Sequence, residues 1–291
     1  MGCGLPLDAL GLLVLAAALH AGWNLIVKRA GGDQTFTWLA VLVGATLFMP
    51  LILVGEGLSQ RAVPYLLASA ALEVTYFLAL TRAYRLGDFS LVYPIARGSA
   101  PAFLAIWATT LLGEDLSRGG LLGLAVLVSG LMVVGSGLWF TRGGGSGIDP
   151  RAIVAALLVA LCISGYTAID GAAVQFSPPG PYTAAVMLLT SIATTPFILV
   201  RNRRTGASVG AVWRAQWPRI CLVGVLTMTT YIMVLLAYTR AQVAYAGAVR
   251  EISVVFAAIV GWRFLGEPFG VYRTAGAALI FCGTLIIAVA G

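Results

Sequence analysis

The stretch RGSAPAFLAIWATTLLGEDL at residues 97–116 recurs without a gap as REISVVFAAIVGWRFLGEPF at residues 250–269. The shift is 153 residues, and the same shift holds beyond both stretches. The matched residues are Arg97 with Arg250, Phe103 with Phe256, Ala105 with Ala258, Leu112-Gly113-Glu114 with Leu265-Gly266-Glu267, Gly123 with Gly276, and Gly130 with Gly283. Self-similarity at a fixed shift indicates an internal repeat.

Weaker matches at slightly different shifts extend the repeat to the rest of the chain. They pair Thr81-Arg82-Ala83 with Thr239-Arg240-Ala241, Pro50 with Pro196, and Ala21-Gly22-Trp23 with Ser164-Gly165-Tyr166. Between the two halves, residues 143–147 read GGGSG, which is typical of a flexible linker. We therefore predict two repeats, residues 1–142 and residues 150–291.

Apolar runs long enough to cross a membrane recur along the whole chain. Hydrophobic residues make up 60% and charged residues 10%, whereas soluble domains average roughly 45–50% and about 25%. A spanning helix needs about 20 mostly apolar residues. Such runs lie at about 7–27, 35–54, 64–84, 91–111, 119–138, 151–173, 182–200, 217–238, 246–264 and 272–290. We predict an all-α integral membrane protein with about ten transmembrane helices and no soluble domain.

The predicted number of helices in each repeat decides how the repeats are oriented. With five helices, an odd number, the second repeat must enter the membrane from the opposite side to the first. This predicts two inverted five-helix repeats related by a pseudo-two-fold axis in the membrane plane. Such repeats are characteristic of secondary transporters, whose sites lie near the midplane where the halves meet.

Several function classes are disfavoured by the remaining composition. The net charge of +7 could suggest nucleic acid, but most basic residues lie at the ends of apolar runs, where they set orientation. The four cysteines form no C-x-x-C pair, there is one histidine, and no H-E-x-x-H or Walker A motif occurs. We therefore predict no enzyme activity, no metal, no cofactor and no nucleic-acid partner, and no direct use of ATP.

Charged residues inside the apolar runs are the strongest candidates for a site. Glu73 lies in the middle of the third run, and Arg97 and Arg250-Glu251 lie near the starts of the fourth and ninth. An ionisable group costs at least about 2.5–3.5 kcal/mol at the centre of a span, so it normally faces an interior and marks a pathway. We predict that Glu73, Arg97 and Arg250 bind substrate, with the arginines on opposite leaflet sides of one cavity. Glu251 would pair with another helix and act as a gate or proton site. The alternatives are that Glu73 is the buried partner of an arginine and that the arginines extend to headgroups or pair locally.

Other polar and aromatic residues complete the candidate set. The further substrate-binding candidates are Trp23, Asn24, Tyr76, Tyr93 and Tyr231, and the further coupling or gating candidates are His20 and Asp170. His20 and Asn24 are four residues apart and share a helix face. A neutral His20 bonded to a backbone carbonyl is as good an interpretation as a proton carrier. Asp170 and Lys28 lie close to helix ends, where we expect interfacial positions.

The double Gly-Glu signature closes the fourth and ninth runs, at Gly113-Glu114 and Gly266-Glu267, and a run with spaced glycines follows each. Together with the ten-helix repeat and the stretch GDFSLVYPIARG at residues 87–98, it resembles the EamA-like branch of the drug/metabolite transporter superfamily over the whole chain. The resemblance implies a multi-pass protein of the bacterial inner membrane that moves small metabolites, often amino acids, through a cavity lined by segments 1, 3, 4, 6, 8 and 9. It also implies cytoplasmic termini. The basic residues favour external termini by the positive-inside rule, so the orientation stays open.

We predict a secondary active transporter that works by alternating access, with export as the preferred direction. Its substrate would be a small polar metabolite such as an amino acid or organic anion, since arginines favour carboxylate or phosphate groups. The lipid bilayer and, for coupling, protons would be its other partners. The alternative is a non-autonomous membrane subunit or a component of a lipid-head-group flippase. The sequence leaves the substrate, the coupling ion and the oligomeric state open, and a monomer is compatible with it.

Overall fold

The protein is helical throughout the part that the computed structural model describes, namely residues 5–31, 33–53, 57–86, 89–141, 149–257, 259 and 271–291. Within these ranges, six helices are long and apolar enough to cross a membrane. Two shorter apolar stretches, Arg118–Val134 and Thr274–Ala290, lie within the helices Arg118–Thr141 and Val271–Ala290. All regular secondary structure in the described residues is helical, which agrees with the prediction of an all-α membrane protein. The count of ten spans stays a prediction.

The helices follow the predicted apolar runs closely. In the first repeat they are α1 (Leu7–Arg29), α2 (Gln34–Phe48), α3 (Pro50–Leu53), α4 (Val63–Leu86), α5 (Phe89–Leu111) and α6 (Arg118–Thr141). In the second repeat they are α7 (Pro150–Ala173), α8 (Pro179–Thr205), α9 (Val209–Tyr238), α10 (Val243–Val249) and α11 (Val271–Ala290). The ninth predicted run is interrupted, because α10 passes into a 3₁₀ turn at Arg250–Ile252 before residues 253–257 become helical again.

Local sequence explains where several helices begin. Asp33 accepts a hydrogen bond from the backbone N–H of Thr35 at the start of α2, and Asp149 caps α7 in the same way. Side-chain oxygens at this position satisfy backbone donors that the helix itself leaves free. In α9 the backbone leaves the helical conformation at Gln216, two residues before Pro218. A proline lacks an N–H and crowds the preceding turn, so the helix bends there. The predicted run at 217–238 begins just after this bend.

The two repeats approach each other backbone to backbone where α6 crosses α11. A Cβ atom added to Gly123 would lie 2.9 Å from the carbonyl oxygen of Gly283, and one added to Gly130 would lie 2.8 Å from that of Gly276. The small residues let the two backbones touch. In the repeat alignment Gly123 corresponds to Gly276 and Gly130 to Gly283, so each glycine contacts the counterpart of the other. Such reciprocal contact is what a two-fold axis produces. The two helices run antiparallel.

The other helix contacts are reciprocal in the same sense. Helix α1 packs on α9 and α4 packs on α7, while α2 packs on α9 and α4 packs on α8. Likewise α5 packs on α7 and α1 packs on α10. The counterparts in the two repeats are α1 and α7, α2 and α8, α4 and α9, and α5 and α10. When each helix is exchanged for its counterpart, the first contact of each pair becomes the second. The two repeats therefore interlock instead of forming separate bundles.

Candidate functional site

A cavity of about 220 Å³ lies between α2, α4, α7 and α8, and so between helices of both repeats. The residues that matter most among those lining it are Trp38, Glu73, Tyr76, Tyr166, Thr190 and Ser191. Glu73 and Thr190 lie near the middle of their helices, whereas Thr37 and Trp38 lie in the first turns of α2, so the cavity extends from mid-helix towards one end of α2. A concave site with a few polar groups among aromatic side chains is a typical small-molecule site.

Glu73 reaches this cavity from α4. It is 8% exposed, which confirms the prediction that it lies inside the protein. The hydroxyl of Thr190 donates a hydrogen bond of 2.6 Å to its Oε2 atom. Among the described residues its partner is therefore a hydroxyl on the other repeat and not an arginine.

Arg97 and Arg250 converge on one carboxylate. An Nη atom of Arg97 lies 2.8 Å from Oε2 of Glu251, and an Nη atom of Arg250 lies 3.9 Å from Oε1. The expectation that Glu251 pairs with another helix is confirmed. The expectation that the arginines lie on opposite sides of a cavity is wrong, because these two residues meet at the same acid where α5 packs against α10.

Asp170 is fully buried, so the expected interfacial position is wrong. Tyr182 on α8 donates a hydrogen bond of 2.7 Å to Oδ1, and the hydroxyl of Tyr231 on α9 donates to Oδ2. The start of α10 covers the end of α7, where a Cβ atom on Gly171 would lie 2.6 Å from Val243. Asp170 is close to a helix end in sequence but enclosed by three other helices in space.

The candidates on α1 lie apart from the cavity lining. The rings of His20 and Trp23 meet edge to face at a centroid distance of 4.7 Å. The side-chain amide of Asn24 donates to the backbone oxygen of His20 at 2.7 Å. Trp23 packs against the buried cluster around Phe36. His20 belongs to α1, which packs against α10 and the 3₁₀ turn that carries Arg250.

The three tyrosine candidates, Tyr76, Tyr93 and Tyr231, do not share one site in the described structure. Tyr76 lines the cavity and meets Tyr166 edge to face at 6.3 Å. Tyr231 is engaged with Asp170. The side chain of Tyr93 lies outside the part of the chain that the structure describes, as does the second Gly-Glu pair.

Sequence reasoning did not assign a role to Trp38 or Thr190. Thr190 belongs to the run LLTSIATTP at residues 188–196, which places four hydroxyl residues in the middle of a spanning helix. Such a run is the signal that could have identified this wall of the cavity. Trp38 carried no comparable signal, because an isolated tryptophan in an apolar run is equally consistent with packing against lipid.

The first Gly-Glu pair ties the two repeats together outside the spans. Gly113 has a φ of 69°, a left-handed conformation that glycine adopts readily, and the N–H of Glu114 bonds back to the carbonyl of Ala108 at 2.9 Å. A left-handed glycine just past the last helical residue is a common way for a helix to end. It turns the Glu114 carboxylate towards α10, where it accepts hydrogen bonds from the backbone N–H groups of Val243 and Ala244. Burial raises the pKa of Glu114 above its ordinary value, and these two hydrogen bonds act in the opposite direction.

Comparison with known proteins agrees with this architecture. The family model of the EamA-like transporter family matches twice, at residues 8–136 and 150–289, once in each predicted repeat. No curated protein matches the sequence. A solved structure described only as the crystal structure of a protein is similar in fold, with a TM-score of 0.73 and 17% identity over 96% of this chain and 95% of that one. The chain, a multi-pass membrane protein, belongs to the EamA-like transporter family.

Proposed function

We propose that the protein is a secondary active transporter that exports a small polar metabolite, such as an amino acid or organic anion, across the bacterial inner membrane. The observation that carries this proposal is the cavity shared by the two repeats. Its acidic residue, Glu73, comes from the first repeat, and the hydroxyl bonded to that residue, on Thr190, comes from the second. Relative movement of the repeats would open and rebuild the site.

Alternating access requires two halves that can exchange roles, and the contacts of α6 with α11 support that arrangement. These helices are counterparts in the repeat alignment, and they run antiparallel through the reciprocal glycine contacts. Counterparts that run in opposite directions are what inverted repeats produce. Ten spans in two inverted sets of five are the simplest arrangement that agrees with these contacts.

The ion-pair cluster is suited to a gating role. Arg97 belongs to the first repeat and Glu251 to the second, so their ion pair must change whenever α5 and α10 separate. Substrate carboxylate could replace Glu251 on an arginine only in a state where this pair opens. His20 on α1 and Asp170, held by two tyrosines, are the proposed sites that couple movement to protons.

The test is transport by the purified protein alone, reconstituted in proteoliposomes with an imposed pH gradient and a panel of labelled metabolites. We expect uptake or counterflow of at least one small polar metabolite by the wild type. Glu73→Gln should reduce it, because the variant lacks the carboxylate of the cavity that the two repeats share. Thr75→Val is the matched control, since Thr75 lies on the same helix, is exposed and bonds only its own backbone at Ala71 among the described residues.

Two outcomes would contradict the proposal. Proteoliposomes that move labelled phospholipid between leaflets but no metabolite would favour a flippase component. Transport that appears only after another membrane protein is added would favour a non-autonomous subunit.

A further inference from the structure

We propose that the cavity around Glu73 binds the protonated amine of a substrate with an aromatic or apolar body, and that a substrate whose only charge is negative is excluded. This inference rests on the proposed function and narrows its substrates to those that carry an ammonium group, which leaves amino acids and excludes organic anions. It assigns the charge of the ligand from the chemistry of the cavity wall.

The wall of the cavity, whose lining residues are all described by the structure, carries a single carboxyl or basic group, the carboxyl of Glu73. The others are threonine, serine, tyrosine, tryptophan, phenylalanine, valine and methionine side chains, which are neutral. A carboxylate in a poorly solvated cavity is stabilised by an opposite charge, and unpaired it is costly. An ammonium group on the ligand supplies that charge.

Arg97 and Arg250 are the cations that could otherwise balance the negative charge of Glu73. Neither Arg97 nor Arg250 lines this cavity, and both point their guanidinium groups at Glu251. Both guanidinium groups are thus engaged with another acid, outside the cavity lining. A ligand carboxylate placed beside Glu73 would meet a like charge and no cation in the lining.

Aromatic rings surround the acid, on Trp38, Tyr76, Phe77 and Tyr166. The indole N–H of Trp38 donates to the backbone oxygen of Ser191 at 3.1 Å, and Phe77 meets Phe197 edge to face at 5.5 Å, so these rings are held in place. Aromatic faces attract cations, most strongly when the cation is poorly solvated. The same rings contact an apolar substrate body.

The wall also holds an unsatisfied polar group. Ser191 is 2% exposed and lines the cavity, and no residue that the structure describes hydrogen-bonds its hydroxyl. Buried hydroxyls normally have a partner. Its neighbour Thr190 already donates to Glu73. A ligand N–H that reaches the Ser191 oxygen, together with the Glu73 carboxylate, would satisfy both groups.

The experiment measures binding separately from transport, using four labelled probes that share one phenyl ring. Phenethylamine carries only the ammonium group, phenylalanine carries both charges, 3-phenylpropanoate carries only the carboxylate, and 2-phenylethanol carries neither. Each is titrated against the purified wild-type protein in nanodiscs. We expect phenethylamine to bind most tightly and 3-phenylpropanoate not to bind measurably.

Variants then locate the site. Glu73→Gln should weaken phenethylamine binding by at least about tenfold and should remove its advantage over 2-phenylethanol, whereas Thr75→Val should bind as the wild type does. Tyr76→Phe, which keeps the ring, should bind better than Tyr76→Leu. If Glu73→Gln does not fold, the order of the four probes on the wild type still decides the question.

The possible failures are distinguishable. If 3-phenylpropanoate binds as well as phenethylamine, or Glu73→Gln binds phenethylamine normally, the amine site is overturned while transport of another substrate class remains open. If phenethylamine binds through Glu73 but no amine crosses the proteoliposome membrane, the site stands and the transport function falls.

Discussion

Replacing Glu251 by glutamine should expose how strongly the two arginines depend on one acid. The Glu251 side chain is 3% exposed, against 21% for Arg97 and 17% for Arg250. At an effective dielectric constant of about 20, separations of 2.8 and 3.9 Å correspond to gross attractions of about 6 and about 4 kcal/mol. Desolvation offsets much of this. Removing one partner from a buried pair nevertheless costs about 3–5 kcal/mol, because a buried charge is left uncompensated.

We expect a loss near the lower end of that range, about 3 kcal/mol, because both guanidinium groups keep some exposure. The assay is thermal unfolding of the purified protein in detergent, followed by the fluorescence of its tryptophans. Glu251→Gln should lower the Tm clearly, and the double variant Arg97→Gln/Glu251→Gln should be more stable than the sum of the two single effects predicts. A coupling of about 1–3 kcal/mol is expected for groups in direct contact.

The reasoning is refuted if Glu251→Gln unfolds at the wild-type temperature. It is also refuted if the effects of the two single variants simply add. Either result would mean that Arg97 and Arg250 are compensated elsewhere and that Glu251 does not hold α5 and α10 together.

Three further variants test other contacts of the fold and site. Glu114→Gln removes one of the two acceptors that cap α10, and an unchanged Tm would argue against the cap. Burial raises the pKa of Glu114 above its ordinary 4.5, so the folded state binds the proton more tightly than the unfolded state does. The stability of the wild type should therefore fall as the pH rises from 4.5 through the raised pKa. In a series of Tm measurements against pH, the glutamine variant should lack this fall. Gly283→Ala would place a Cβ 2.6 Å from the backbone nitrogen of Leu127 and should cost about 1–3 kcal/mol of unfolding free energy. Gly11→Ala, whose Cβ meets nothing within 4 Å, should not lower the unfolding free energy. Equal effects of the two variants would contradict the close α6–α11 packing. Asp170→Asn can accept only one of the two tyrosine hydrogen bonds, so a stability loss of about 1–3 kcal/mol is expected, and wild-type unfolding would show that the buried network contributes nothing.

The helices and the repeat could be predicted because they depend on residues close together in the chain. An apolar run must form a helix in a bilayer, since its backbone hydrogen bonds have no other partner. In the described residues the runs therefore coincide with helices, except that the ninth run is interrupted by the 3₁₀ turn at Arg250–Ile252. The 153-residue shift anticipated which glycines correspond, and the structure places those glycines at the crossing of α6 and α11.

The site could be predicted only in part. The cost of burying a carboxylate was enough to place Glu73 inside the protein, whatever its neighbours. It could not identify Thr190, which lies 117 residues away and meets Glu73 only because α4 packs on α8. The position of Asp170 near a helix end suggested an interface, and only the packing of α8, α9 and α10 around α7 decided that it is buried.

By itself, the sequence determined that this is a helical membrane protein with an internal repeat and with ionisable groups that must face its interior. These properties follow from composition, from run length and from the desolvation cost of single residues. Only the tertiary structure decided which charges meet. Arg250 and Glu251 are adjacent in the chain, yet the closer ion pair of Glu251 is with Arg97 on the other repeat. The reason is that neighbouring side chains in the 3₁₀ turn at Arg250–Ile252 point about 120° apart, so the partner of each is decided by whichever helix packs against that face.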